Sequence, residues 1–287
     1  MSLRALLLIN RFSRHGQRHW QQAVDQLRAA GVTTVMPDPS LSIAEAIDRH
    51  AAEVDRVIVG GGDGSLNAAA DALIRHQLPL AILPLGTAND LARTLNLPRD
   101  LPQAIAVAAG HKLRAIDVGM VNQRAFFNVA SIGFSASLAK NLTAASKKRW
   151  GVLGYALAAI KIFRQSRPFT LWLEHDGKRE KVKTLQLSVG NGRFYGGGMA
   201  VAEDAAPDDG RLDVYSLELH HWWEMMALLP ALRRGTQGRW RKVRAFPATA
   251  LTVETRRPHD INADGEIVGT TPAHFSLRRH AVRVFVG

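Results

Sequence analysis

One stretch of the chain decides the fold: Arg56-Val57-Ile58-Val59-Gly60-Gly61-Gly62-Asp63-Gly64-Ser65-Leu66-Asn67. Four residues of strand type run directly into three glycines, and a helical pattern follows from Leu66. Glycine tolerates positive φ angles and lets the backbone approach a ligand closely. The N–H groups of such a turn, next to a helix N-terminus, attract phosphate oxygens. The stretch predicts a phosphate-binding strand–turn–helix unit in which Asp63 holds Mg²⁺ or a bridging water.

Around this turn, the first 110 residues alternate short apolar strands with helical patterns. We predict strands at residues 5–9, 32–36, 56–59 and 80–83, and helices at residues 16–30, 41–52, 66–75 and 90–95. Such alternation is typical of an α/β domain in which helices cover a mainly parallel sheet.

Beyond about residue 112, strand-like segments follow one another directly. They are expected at residues 115–121, 124–130, 169–174, 181–189, 212–217, 248–254 and 281–286, with helices near residues 137–164 and 221–234. This pattern favours an antiparallel β-sandwich as a C-terminal domain. We therefore expect an α/β domain at residues 1–125 and a β-rich domain at residues 126–287, with the last strand as a candidate to return to the first domain.

The composition narrows the functional classes. The 287 residues include no cysteine, which excludes a disulfide framework and a thiol nucleophile. The formal net charge of +12 favours anionic partners, although the same charge can serve solubility alone. No export signal and no apolar run of about 18 residues is visible, so we expect a cytoplasmic protein whose membrane contact is peripheral.

A second turn follows the next predicted strand, with the sequence Pro84-Leu85-Gly86-Thr87-Ala88-Asn89-Asp90-Leu91-Ala92-Arg93. Loops at the carboxyl ends of neighbouring parallel strands face one crevice. Thr87 and Asn89 can donate to a phosphate or a base, and Asp90 can share a metal–water network with Asp63. A plain N-capped helix start is the alternative for this turn taken alone.

Several familiar site motifs are missing from the sequence. The first turn is neither a Walker A loop nor the dinucleotide-binding Gly-x-Gly-x-x-Gly pattern. The eleven histidines show no His-Glu-x-x-His spacing, and no Gly-x-Ser-x-Gly elbow occurs. Nothing resembles a helix-turn-helix, a zinc finger or an aromatic RNA-binding pattern, so we expect no nucleic-acid partner.

The two turns together resemble the diacylglycerol-kinase catalytic family, especially its soluble bacterial lipid kinases. The family's Gly-Gly-Asp-Gly-Thr-x-Asn-Glu pattern matches residues 61–68, with Ser65 in place of Thr and Ala68 in place of Glu. Its Pro-x-Gly-Thr-x-Asn-Asp-x-Ala-Arg pattern matches residues 84–93. Further family blocks follow in order at residues 117–119, 127–130, 190–192, 196–198, 207–213 and 264–266.

The resemblance implies a role for each matching residue. The nucleotide site would include Asn10, Gly61, Gly62, Asp63, Gly64, Ser65, Leu66, Asn67, Ala68, Thr87, Asn89, Asp90 and Asp208, of which Asp63, Asp90 and Asp208 form an acidic network around Mg²⁺. Residues 11–14 replace much of the family's turn after Asn10. A second, structural Mg²⁺ would use the Asp209 side chain and the backbone carbonyls of Ala206 and Arg211. Glu266 would be the general base, with Asp264 beside it.

These roles imply an ATP- and Mg²⁺-dependent kinase that phosphorylates a lipid hydroxyl, of diacylglycerol or a related lipid such as phosphatidylglycerol. Residues 1–125 would then bind nucleotide and residues 126–287 lipid. Phosphoryl transfer requires positioning and charge neutralisation more than covalent chemistry. Two alternatives stay open. One is an NAD-kinase-like small-molecule kinase, against which the blocks at residues 86–90 and 208–210 argue. The other is a non-catalytic protein that binds nucleotide or anionic surfaces, which the missing carboxylate at Ala68 keeps open and the intact Asp63, Asp90 and Glu266 oppose.

Two stretches combine basic and aromatic residues in a way that suits contact with an anionic membrane, at residues 147–164 and 222–242. The alternative for each is an amphipathic helix that buries its apolar face in the protein. The partners we expect are a lipid, ATP and the cytoplasmic face of the inner membrane, and a homodimer stays open.

Overall fold

The computed structural model describes residues 3–9, 14–136, 166–219 and 221–287, and the chain divides into two compact units. The first unit comprises Met1–Val118, Gly196–Gly198 and Arg278–Gly287, and the second comprises Gly119–Tyr195 and Met199–Leu277. The expected helix at residues 137–164, the nucleotide contact of Asn10 and the altered turn at residues 11–13 lie outside the described residues. Within the described ranges, no helix is long and apolar enough to cross a bilayer.

The first unit is built on a parallel sheet with the strand order β2-β1-β3-β4. Its elements are β1 (Leu3–Ile9), α1 (Arg14–Ala29), β2 (Val32–Val35), α2 (Ile43–His50), β3 (Arg56–Gly61), α3 (Asp63–His76), β4 (Leu80–Pro84), α4 (Asp90–Thr94) and α5 (Leu101–Ala109). The two central strands, β3 and β4, are almost entirely buried, as is typical of parallel sheets covered by helices. The predicted α/β domain with a parallel sheet is confirmed.

A buried arginine joins three parts of the first unit. The Arg56 guanidinium donates to the carbonyl oxygens of Ala108, at 2.7 Å, and Gly110, at 3.0 Å. The same group lies 4.1 Å above the centre of the Phe285 ring. It therefore closes the C-terminal end of α5 and fixes the end of the chain, while burial lowers the pKa of the guanidinium.

The second unit is an antiparallel β-sandwich, as predicted. Its elements are β5 (Leu113–Val121, which begins in the first unit), β6 (Arg124–Phe126), β7 (Val129–Gly133), β8 (Phe169–His175), β9 (Lys178–Thr184), β10 (Gln186–Gly190), β11 (Phe194–Tyr195), β12 (Met199–Ala200), β13 (Leu212–Leu217), α6 (Trp222–Arg234), β14 (Val243–Ala248), β15 (Ala250–Thr255), β16 (Asp260–Ala263), β17 (Glu266–Thr270) and β18 (Ala273–Phe285). One layer has the order β14-β13-β10-β7-β16-β17, and the other joins β15, β8 and β9 to the start of β18. Side chains such as Ile132, Leu171 and Phe275 fill the core.

Residues 181–189, predicted as one strand, belong to two strands. The chain leaves β9 at Thr184 and enters β10, in the other layer, at Gln186. The Thr184 hydroxyl accepts the N–H of Gln186 at 3.1 Å and lies 3.0 Å from the carbonyl oxygen of Leu217. The hydroxyl group therefore bonds to backbone groups, the N–H of Gln186 and the carbonyl oxygen of Leu217, where the chain passes from one layer to the other. Residues 124–130 and 248–254 are likewise divided between neighbouring strands.

The last strand, β18, contributes to both units. Its residues 273–276 pair antiparallel with β15, whereas Val284 pairs in parallel with Leu80 of β4. The Lys112 ammonium also donates to the carbonyl oxygen of Gly287 at 2.8 Å. The end of the chain is therefore an integral part of the first unit.

Candidate functional site

The two glycine turns of the first unit lie against each other. The backbone N–H groups of Leu85 and Gly86 both donate to the carbonyl oxygen of Gly61, each at 3.1 Å. A Cβ atom at Gly62 would lie 3.1 Å from the Gly86 Cα atom, and a Cβ atom at Gly86 would overlap the Gly62 backbone. Gly86 therefore requires glycine, Gly62 is packed tightly against it, and the two turns are in direct backbone contact.

Asn89 shapes the second turn. It adopts a left-handed conformation with φ 51°, and its side-chain oxygen Oδ1 accepts the Gly86 N–H at 2.9 Å. Its amide nitrogen donates to the carbonyl oxygens of Gly86, at 2.8 Å, and Pro84, at 3.2 Å. The side chain is thus committed to the loop itself, which assigns it a positioning role. Its direct contact with a nucleotide stays a prediction.

Two carboxylates tie these turns to other segments of the first unit. Asp63, the first residue of α3, accepts the N–H of Leu91 at 3.1 Å. Asp90 is buried and accepts the N–H of Gly197 at 2.9 Å. Residues 196–198 all have positive φ angles, from 58° to 122°, which only glycines adopt in succession without strain. The contact between Asp90 and Gly197 escaped the sequence analysis, although the triple glycine signalled unusual backbone there.

The helix α3 begins directly after the first glycine turn. Ser65 and Leu66 donate their N–H groups to the carbonyl oxygen of Gly62, at 3.0 and 3.2 Å. The first N–H groups of a helix have no partner within the helix, and the helix dipole favours an anion at this end. Thr87 is exposed in the neighbouring loop, whereas Leu66 is fully buried and serves the core. The nucleotide roles of Gly61, Gly64, Ser65, Asn67 and Ala68 stay predictions.

In the second unit, the Asp264-Gly265 turn joins β16 to β17. Both residues have positive φ, 48° and 98°, as a tight two-residue hairpin requires. The Asp264 carboxylate accepts the N–H groups of Phe127, at 2.7 Å, and of Asn128 and Val129, both at 3.0 Å. Asp264 therefore anchors the hairpin to the start of β7.

Glu266 follows this anchored turn and is exposed. Among the described residues its carboxylate has no hydrogen bond or ion pair, so it is accessible to accept a proton. Asn262, which the sequence analysis missed, supports the same turn: it is buried, and its side-chain oxygen Oδ1 accepts the Gly265 N–H at 3.2 Å. Its place two residues before Asp264 is the signal that could have drawn attention to it. The hairpin presents one carboxylate and immobilises the other.

The predicted structural metal residues lie together in another turn of the second unit. The Asp209 carboxylate accepts the N–H groups of Ala206, at 3.1 Å, and Arg211, at 3.2 Å. The Arg211 guanidinium pairs with Asp204 at 2.8 Å and with Asp213 at 3.3 Å. Burial raises the pKa of Asp213 to about 6, against the opposing effect of Arg211.

The donor chemistry around Asp209 fits a hard cation, since carboxylate and backbone carbonyl oxygens are the ligands that Mg²⁺ takes in proteins. No cluster of three or more His, Asp or Glu side chains suited to a metal occurs in the described part of the chain. Asp208 is half-buried in the second unit, whereas Asp63 and Asp90 belong to the first. Their joint acidic network stays a prediction.

Each of the two units matches the model of a known protein domain family. The diacylglycerol kinase catalytic domain model matches residues 4–121, and the model described as the YegS C-terminal NAD kinase beta sandwich-like domain matches residues 128–286. A solved structure of a diacylglycerol kinase from Bacillus anthracis str. Sterne superposes with a TM-score of 0.82 at 23% identity, covering 100% of this chain and 97% of that one. At this identity the superposition shows the fold alone.

Two curated relatives match nearly the whole chain. A protein named "Probable lipid kinase YegS-like" from Pseudomonas aeruginosa (strain UCBPP-PA14) is 33% identical, with 97% of this chain and 93% of the relative covered. The diacylglycerol kinase of Bacillus subtilis (strain 168) is 28% identical, with 92% and 89% covered. The predicted family resemblance is confirmed. The chain therefore belongs to the diacylglycerol kinase catalytic family of enzymes, in the branch that carries a YegS-type C-terminal β-sandwich-like domain.

Proposed function

We propose that this protein transfers the γ-phosphoryl group of ATP, with Mg²⁺, to a hydroxyl group of a lipid such as diacylglycerol or phosphatidylglycerol. The observation that carries the proposal is the contrast between two neighbouring carboxylates. Asp264 is held by three backbone N–H groups, whereas Glu266 is exposed on the hairpin that Asp264 anchors. A rigid turn that presents one accessible carboxylate is suited to general base catalysis.

The glycine turns support the ATP assignment. Their contact at Gly62 and Gly86, and the carboxylates of Asp63 and Asp90, hold the loops in fixed conformations. Backbone N–H groups in a preorganised turn bind phosphate oxygens without the entropy loss of ordering a flexible loop. Thr87, exposed beside them, offers a hydroxyl donor.

Mg²⁺ would neutralise charge on the phosphates and the departing ADP. In this proposal Asp63, Asp90 and Asp208 would hold the nucleotide-bound ion. Asp209 and the backbone oxygens of Ala206 and Arg211 hold a structural one.

In the reaction, the Glu266 carboxylate accepts the proton of the lipid hydroxyl as the hydroxyl oxygen forms a bond to the γ-phosphorus. The bond between that phosphorus and the β–γ bridging oxygen breaks, and ADP leaves with its electron pair. General base catalysis of this kind contributes about 10²–10⁴ in rate. We place the reaction at the cytoplasmic face of an anionic inner membrane, with no nucleic-acid partner.

One feature favours a non-catalytic alternative. Ala68 stands where the family pattern has a carboxylate, and its loss would weaken a metal or nucleotide contact. A protein that only binds nucleotide would still use the glycine turns but would have no need of an accessible Glu266. An NAD-kinase-like activity would also use the Gly-Gly-Asp-Gly turn, but the blocks at residues 86–90 and 208–210 argue for the lipid branch, and the acceptor tests the difference.

The test is phosphoryl transfer by the purified full chain from labelled ATP to a panel of lipids in mixed micelles, with NAD as a soluble acceptor in parallel. We expect label in one lipid, loss of that label in Glu266→Gln, and full retention in Glu174→Gln, an exposed glutamate of β8 in the same unit. Label in NAD alone would establish the NAD-kinase-like alternative. ATP binding without transfer to any acceptor would favour the non-catalytic one.

A further inference from the structure

Exposed apolar side chains concentrate in one part of the second unit. Trp223, Met226 and Trp240 have 56%, 41% and 39% of their surfaces exposed. The other large exposed hydrophobic residues among those described are Leu113, at 39%, and Ile267, at 43%, each far from this segment in the sequence. Large apolar side chains that cluster at a surface mark a contact with something apolar.

The helix α6 presents one face to the unit and another to solvent. Leu228, Ala231 and Leu232 are buried in an apolar cluster with Tyr215. The opposite stripe carries Trp223, Met226, Ala227, Pro230, Arg233 and Arg234, all exposed and spaced by three or four residues. Such spacing keeps the side chains on one side of a helix. The stripe is therefore apolar in its first half and cationic at its end.

The second tryptophan lies next to the start of α6. The Lys242 ammonium pairs with the carboxylate of Glu224, in the first turn of the helix. Glu224 follows Trp223 directly, and Lys242 comes two residues after Trp240. The N–H of Val243 donates to the carbonyl oxygen of Trp240 at 2.9 Å, which closes the turn between them. We call the exposed set Trp223, Met226, Arg233, Arg234, Trp240 and Arg241 the Trp–Arg surface.

The segment that forms this surface carries an excess of positive charge. Residues 221–244 include six Arg or Lys residues and a single carboxylate, that of Glu224. Arg239, Lys242 and Arg244 are paired with Glu203, Glu224 and Glu180, respectively. Arg233, Arg234 and Arg241 are exposed and form no ion pair within the described part of the chain. Arginines that are exposed and unpaired among the described residues, next to exposed tryptophans, complement a bilayer, whose interior is apolar and whose surface is anionic.

We propose that the Trp–Arg surface docks the second unit onto an anionic bilayer. Trp223, Met226 and Trp240 enter the boundary between headgroups and acyl chains, where indole rings are favoured. Arg233, Arg234 and Arg241 reach lipid phosphates, to which guanidinium groups bind in bidentate fashion. This inference deepens the proposed function, because it names the surface through which a lipid kinase would meet its substrate. The role of the docking rests on the proposed function, whereas the binding itself does not.

The test measures co-sedimentation of the full chain with vesicles of phosphatidylcholine, alone or mixed with phosphatidylglycerol. Charge near an anionic surface strengthens binding about fivefold per arginine, so Arg233→Gln/Arg234→Gln should weaken binding to anionic vesicles roughly 25-fold and leave binding to neutral ones unchanged. Trp223→Ser/Trp240→Ser should remove the part of the binding that persists at high salt. Leu113→Ser, an equally exposed leucine of the sequence's first half, is the matched control and should bind like the original protein.

The outcomes separate this proposal from the proposed function. Both double variants should retain phosphoryl transfer in detergent micelles, which present the lipid without a bilayer, and lose it on vesicles. Vesicle binding that depends on these residues in a protein without kinase activity would leave the docking surface standing and refute the function. Binding that neither double variant changes would refute the docking surface. The same holds if the tryptophan variant abolishes self-association in sedimentation velocity and leaves vesicle binding intact, because the surface would then contact a second copy.

Discussion

Replacement of Asp264 by asparagine should destabilise the protein, whereas replacement of Glu266, the other carboxylate of the β16–β17 hairpin, should not. The Asp264 carboxylate receives three backbone N–H groups, from Phe127, Asn128 and Val129. An asparagine can keep its oxygen toward two of these donors, but its amide group then faces the N–H of Phe127. Two donors would oppose each other in a buried segment, since Phe127 is 1% exposed.

The expected cost follows from these three bonds. A hydrogen bond to a charged group contributes about 1.5–3 kcal/mol and a neutral one about 0.5–1.5, so the two retained bonds lose about 2 kcal/mol together. The N–H of Phe127, left without an acceptor, adds about 1–3 kcal/mol. We expect a total loss of about 3–5 kcal/mol, which lowers the melting temperature of a domain of this size by roughly 6–20 °C.

Urea denaturation followed by tryptophan fluorescence is the appropriate assay, because five of the six tryptophans belong to the second unit. Glu266→Gln, which removes an exposed and unbonded carboxylate, should unfold at the urea concentration of the original protein. Asp264→Asn should unfold earlier and keep measurable phosphoryl transfer at low temperature. If Asp264→Asn were as stable as the original protein and as inactive as Glu266→Gln, the anchoring role would be refuted and Asp264 would take part in the chemistry.

Three further predictions concern the turns, the buried arginine and the acidic cluster. Gly86→Ala forces a Cβ atom into the Gly62 backbone and should weaken ATP binding about tenfold or more in calorimetry, a loss that corresponds to about 1.4 kcal/mol; Gly177→Ala, where the added Cβ meets no atom, should leave ATP binding unchanged. Arg56→Met leaves the carbonyls of Ala108 and Gly110 without donors and should cost about 3 kcal/mol of stability by urea denaturation, whereas an unchanged midpoint would show that water replaces the guanidinium. Asp213, whose pKa is about 6 in the folded protein, favours its protonated form there, so its contribution to stability is present at low pH and is lost as the pH rises from about 4 to 6. Asp213→Asn should remove this slope from melting temperatures measured across that range, and an unaltered slope would assign the titration to another group.

Local sequence patterns predicted those parts of the fold that local interactions determine. The strand and glycine turn of β3 are encoded by adjacent residues, and the C-terminal end of α6 at Arg234 is fixed by the Gly235 that follows it in a left-handed conformation. The helix α5 was missed because its signals, the N-cap Asp100 and Pro102, lie in an alanine-rich segment without clear periodicity. Family blocks supplied the identity of the candidate site residues.

The contacts that give those residues their roles are distant in sequence and escaped prediction. Asp264 reaches residues 127–129, and Asp90 reaches Gly197, across more than 100 residues in each case. Nothing in the neighbourhood of either aspartate specifies which backbone amide it will meet, because that depends on how strands from different parts of the chain align. A sequence can therefore indicate that a carboxylate is present at a site without showing whether it is free to react or bound to the backbone.

The pairing of Val284 with Leu80 imposes an order on how the protein is made. β4, an entirely apolar strand, leaves the ribosome about 200 residues before its neighbour β18, which is a delay of roughly 10–40 s at ordinary synthesis rates. Throughout that interval the nascent chain carries an apolar strand edge with nothing to cover it, the kind of edge that recruits other strands or a chaperone. The half of the molecule that is translated first is the half that is completed last, and loss of even its final ten residues would leave that edge permanently open.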